Sequence, residues 1–138
     1  VLDGPHRYLR AYLAGIAFPT AFLAVLLLLF LFFAATGRVN WSLGKLLAFP
    51  MAAVPNLWGL WNIAYVALSK RRVLNIGLFG SILPFIIGPL AYTAAKSTGP
   101  LPHHGWGTLA IGFVVILFAY YLIWKHVVRF INESLDLE

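Results

Sequence analysis

The 138-residue chain has no cysteine, which excludes disulfide frameworks, thiolate metal sites and thiol redox chemistry together. Acidic residues are nearly as scarce. There are four, Asp3, Glu133, Asp136 and Glu138, all within a few positions of one end or the other. No carboxylate falls inside an apolar stretch, so proton coupling through a membrane carboxylate is excluded and no catalytic acid, base or nucleophile is expected there.

Charge of either sign is thin. Only 10% of the residues are charged and 62% are hydrophobic, where an average soluble domain is roughly a quarter charged. The net charge of +6 does not resemble that of a nucleic-acid binder, because the basic residues stand in short groups between apolar runs rather than on an amphipathic face interleaved with aromatics. Anionic lipid headgroups suit Arg7, Arg10, Lys70, Arg71 and Arg72 better.

What the chain has instead is long uncharged runs. A hydrocarbon core about 30 Å thick needs about 20 apolar residues as helix, and such runs lie at 11–37, 46–69, 73–95 and 106–124. They predict an all-α polytopic membrane protein, a single membrane domain over 1–138 built as a four-transmembrane-helix bundle. The first run exceeds a signal's apolar region and no small-residue cleavage site follows it, so it reads as a span rather than a leader. Residues 125–138 carry Val127, Val128, Ile131 and Leu135 at helical spacing and are expected to continue the last helix out of the lipid as a cytoplasmic amphipathic tail.

With four spans both ends share a side. Seven basic residues (Arg7, Arg10, Lys70, Arg71, Arg72, Lys125, Arg129) fall on that side and three (Arg38, Lys45, Lys96) on the other, which predicts cytoplasmic termini. Tyr8, Tyr12, Trp41, Trp106 and Trp124 fall at the proposed boundaries, as aromatic anchors do.

Two spans carry paired prolines, Pro50 and Pro55 in the second, Pro84 and Pro89 in the third. Proline inside a helix deletes a backbone hydrogen bond and leaves a carbonyl that lipid cannot satisfy. Transporters build sites from such helices, although kinks also serve packing alone. In the second span, at about 100° per residue, Ala48, Ala52, Asn56, Gly59 and Asn62 share a stripe, and Trp58, Trp61 and Tyr65 share another. An amide in hydrocarbon needs partners, so Asn56 and Asn62 are expected to face another helix or a wet cavity. The aromatic stripe lines a pocket for an apolar or cationic ligand, or faces lipid. Asn56, Trp58, Gly59, Trp61, Asn62 and Tyr65, with Ser81 and Pro84 of the third span, are therefore the candidate ligand-binding or pathway residues.

Gly77, Gly80, Gly88 and, in the fourth span, Gly112 are the candidate helix-packing positions. The four-residue spacing of Gly80, Pro84 and Gly88 predicts a groove for a second copy of the chain. His6, His126, His103 and His104 all lie at the ends of spans without accompanying acidic or thiol ligands, so neither a metal nor haem or any other cofactor is expected.

Two functions follow from these features. One is a small transporter or channel subunit acting as a homo-oligomer, with the second and third spans forming the pathway. The other is a non-transporting accessory or assembly subunit, or a binder of lipid or another apolar ligand, that uses the same small-residue faces to grip other helices or a larger membrane complex.

Overall fold

A computed structural model describes residues 5–70, 73–99 and 105–137. Arg71, Arg72, His103 and His104 lie outside the described residues. The described elements are all helical. They are α1 (Pro5–Ala35), a 3-10 turn (Trp41–Gly44), α2 (Lys45–Ser69), α3 (Ile76–Ser81), α4 (Leu83–Ser97), α5 (Trp106–Ile123), a π turn (Trp124–Val128) and α6 (Arg129–Ser134). Joined across their turns they make four helices long and apolar enough to cross a membrane: His6–Ala35, Trp41–Ser69, Ile76–Ser97 and Trp106–Ser134.

The break between α3 and α4 has a sequence cause. Pro84 has no N–H to offer Gly80 four residues back, and its ring pushes that carbonyl aside, so the helix interrupts at Ile82 and restarts. Pro50 and Pro55, by contrast, sit within a continuous α2. Asn75 starts α3 by accepting the Leu78 amide on its side-chain oxygen, at 3.1 Å.

α1 and α2 run antiparallel in close contact because glycine faces glycine. A Cβ on Gly15 would stand 2.6 Å from the Trp58 carbonyl oxygen and 2.8 Å from Gly59 Cα, and one on Gly59 would enter the Tyr12 ring. Only glycine allows the two backbones this approach. α3 meets α5 the same way, with the Gly77 backbone against Tyr121 and Gly80 against the Trp124 indole.

Packing is uneven along the bundle. The buried cluster, including Ala11, Ala14, Trp58, Tyr65, Val66, Ile76, Trp124, Val128 and Leu137, gathers where α1 begins, α2 ends and α6 ends. We call this the basic end, since Arg7, Arg10 and Lys70 lie there. Toward the opposite end the helices expose most of their side chains; α5 has no buried residue at all.

Residues beyond 124 continue the last helix, which runs unbroken over Trp106–Ser134, and they are two-faced: Val128, Asn132 and Leu137 are buried, while Lys125, Arg129, Phe130 and Glu133 are exposed. A π turn at Trp124–Val128 lies within this helix, and Trp124, Val128 and Asn132, at four-residue spacing, all face the seam. The end of α6 closes with the Asp136 amide on Glu133 O at 3.2 Å and the Leu137 amide on Asn132 O at 3.0 Å, a Schellman closure with Asp136 at φ +53° in the left-handed position.

Candidate functional site

The second-span residues come together with residues of all the other spans at one level of the bundle. Trp58 is buried, stacks on Phe18 of α1 (centroids 5.8 Å apart) and packs at a tilt against Tyr120 of α5 (5.0 Å) and Trp124 (5.4 Å). Its indole N–H donates to the Tyr120 hydroxyl at 3.3 Å. Trp61 stacks on Phe79 at 4.9 Å, and Tyr65 packs on the same ring at 5.5 Å. The Trp61 indole N–H donates to the Phe79 carbonyl at 2.8 Å, beside the interruption that Pro84 causes. The aromatic stripe is thus an internal layer tying α2 to α1, α3 and α5, where ring stacking adds to the area buried.

Asn62 lies one turn beyond Trp58, fully buried. Its two amide N–H groups donate to the Ala11 carbonyl and to Asn132 Oδ1, both at 2.8 Å, and its Oδ1 accepts from Asn132 Nδ2 at 3.0 Å. Each of these groups is therefore satisfied by protein across a seam of three helices. Asn56 is separate and exposed. Its amide donates to Ala52 O of its own helix at 2.7 Å, and its oxygen accepts from the Tyr12 hydroxyl.

Neither asparagine lines a described cavity. One open cleft of about 430 Å³ runs between α1 and α2 and is apolar, with Thr20, Leu23, Leu27, Met51 and Pro55 in its walls. A second, of about 290 Å³, opens at the basic end between Arg7, Ser69, Lys70 and Leu74.

The third-span candidates also have internal partners. Pro84 is buried, and the half-buried Ser81 donates to Leu78 O at 2.8 Å. Because the Trp124 ring occupies Gly80 from within, the groove that the sequence assigns to a second copy is closed at Gly80 and Pro84 by this chain's own residues. Gly88 has only Phe113 near it, at 3.8 Å from a built Cβ, and Gly112 has nothing within 4 Å. For Gly112 the expected packing contact is absent within the chain, because that face of α5 has no neighbour.

Sequence reasoning did not select Asn132, Ala11 or Tyr120. Asn132 carries a signal in retrospect, as a lone amide among Val127, Val128, Ile131 and Leu135. Its partner Asn62 lies 70 positions away, and no local residue pattern announced that pairing.

The basic residues have structural work as well. Arg7 Nη2 donates to Leu137 O at 3.0 Å and Arg10 Nη1 to Leu135 O at 2.8 Å, so two cations from α1 hold the carbonyl-rich end of α6, where the helix dipole favours them. His6 and His126 are exposed, and among the described residues no group of three or more His, Cys, Asp or Glu is placed to hold a metal. Comparison with protein-family models, curated proteins and solved structures finds no match to this chain.

Proposed function

We propose that the chain is a multi-pass membrane protein that works by contact rather than by transport: an accessory or assembly subunit whose loosely packed half grips apolar helices of a partner. The observation that carries this reading is Asn62. This amide of the second span is closed into a helix seam, where it serves as glue between helices. The face of α5 around Gly107, Thr108, Gly112 and Val115, meanwhile, is exposed along its length. Small residues on such a face admit close approach of another helix. The basic end, with its dense core, anchors the assembly on the side rich in Lys and Arg, which the distribution of those residues makes cytoplasmic.

The homo-oligomeric transporter reading requires a lumen that a second copy would complete, since four helices about 10 Å wide pack around a filled centre. The two readings separate in one experiment. A photocrosslinking side chain is placed at Val115, on the exposed face of α5, and at Leu9 as a control, in native membranes. The accessory reading expects a discrete heavier adduct from Val115 and none from Leu9, with no solute flux from the purified protein in liposomes. Flux that Asn62→Leu abolishes would overturn it.

A further inference from the structure

We propose that a second copy of the chain docks on the outer face of α2 at Asn56, the two Asn56 amides exchanging hydrogen bonds across a two-fold axis. The inference rests on the membrane reading above and goes beyond it, since it names a contact between copies that does not use the α5 face. Asn56 lies near the middle of the 25-residue α2, so about 15 Å or more of helix separates it from either end. In a hydrocarbon core about 30 Å thick that is deep among the lipid tails. Asn56 is nevertheless exposed on the surface of the bundle. Lipid offers an amide at this depth neither donor nor acceptor, whereas another helix offers both.

The amide is half spent. Its Nδ2 donates to Ala52 O at 2.7 Å and its Oδ1 accepts from the Tyr12 hydroxyl, and because a primary amide has two N–H groups and two acceptor positions, one of each is left. What is left matches itself. A second Asn56 brings an acceptor for the free N–H and a donor for the free lone pair, the same reciprocal exchange that Asn62 and Asn132 make within the chain. The group is also oriented in advance: the Tyr12 ring lies against Gly59 and Ala52 O holds the other side, so pairing costs little side-chain freedom.

Symmetry favours a copy over an unrelated helix. Copies insert in the same orientation, so a two-fold axis along the membrane normal sets equivalent residues of two parallel α2 helices opposite each other. Asn56 then meets Asn56. Ala52 and Ala48, exposed one and two turns along the helix, carry only methyl groups, which lets the backbones come close enough for side chains as short as asparagine to touch. Lys45 stands exposed at the end of the same line, where its long side chain reaches the headgroups. The contact is a seam and encloses no lumen.

The test uses the whole chain, whose lack of cysteine lets a single introduced one report. Ala52→Cys is oxidised with copper phenanthroline in native membranes, with Ile111→Cys on the exposed face of α5 as control, and two differently tagged copies are co-expressed to identify a homodimer. The expected result is a disulfide-linked homodimer from Ala52→Cys in clear excess over the control. Energy transfer between copies labelled at Ser97→Cys, diluted in phosphatidylcholine liposomes, should show association weakened about tenfold by Asn56→Leu and retained in Asn56→Gln, as a pair of interhelical amide bonds is worth about that factor. Asn56 is exposed, so its replacement leaves the core intact. Ala52→Ile provides a second variant, which holds the backbones apart and should weaken association as well.

An Ala52→Cys homodimer no more abundant than that of the control overturns the proposal, as does association unchanged in both Asn56→Leu and Ala52→Ile. Trapping of Ala52→Cys only with a protein of another mass shows a foreign partner on this face and overturns the second copy as its occupant. Failure of the accessory reading is seen separately, as missing crosslinks at Val115, and leaves the disulfide result unchanged.

Discussion

Asn62 and Asn132, 70 positions apart, exchange a reciprocal pair of amide hydrogen bonds at 2.8 and 3.0 Å with no exposure to solvent. Ala11 O completes the arrangement, so the start of α1, the last third of α2 and α6 are fixed in register by directional bonds rather than by apolar packing alone. A slip of one residue in any of them would leave a buried amide unpaired, which costs about 1–3 kcal/mol.

The first prediction follows from that asymmetry. Asn62→Leu and Asn132→Leu should each destabilise the protein by about 1–3 kcal/mol, since each leaves polar groups without partners. The double variant should cost clearly less than the sum, because replacing both amides removes the unpaired groups as well as the bonds. Unfolding titrations in mixed detergent micelles check this. Strict additivity would show that the two side chains do not depend on each other.

Glycines on different faces should respond oppositely. Gly80→Ala drives a methyl into the Trp124 indole, and overpacking of this kind costs about 1–3 kcal/mol. Gly112→Ala meets nothing within 4 Å, so it should be neutral or stabilising by up to about 1 kcal/mol through helix propensity alone. Thermal unfolding of the two single variants in the same detergent decides the matter, and a Gly80→Ala variant as stable as the parent would mean that α3 does not hold to the π turn.

Asp136 ends α6 at φ +53°, a conformation that glycine adopts without the penalty of a Cβ. Asp136→Gly should therefore raise stability by a few tenths to about 1 kcal/mol. Asp136→Val should lower it and loosen the grip of Arg7 and Arg10 on the last carbonyls. Hydrogen exchange at the Asn132 to Leu137 amides reports on that loosening directly.

Orientation is checked by labelling. Since the chain has no cysteine of its own, a single one at Ser97 should react with an impermeant reagent added outside intact cells, and one at Ser69 should not, as the seven-to-three basic bias requires. Reaction at Ser69 alone would mean the opposite insertion. It would also place the basic cleft on the outer face.

The number and extent of the helices were legible in the sequence because they follow from one local quantity, the run of uncharged residues between basic groups. Four runs predict four long helices, and Ile76–Ser97 and Trp106–Ser134 begin within a few residues of the predicted starts. The second-span stripe was legible too: helical periodicity places Gly59 and Asn62 side by side, and both are buried against α1. What occupies that face was not, because local periodicity says which residues share a side and nothing about what packs on it. The packing of α6 on α1 and α2 decided that Asn132 meets Asn62, the Trp124 ring decided that Gly80 is filled from within, and the path of the last helix back along α1 decided which face of the tail is core. Each is a contact between residues tens of positions apart, and only tertiary structure brings such residues together.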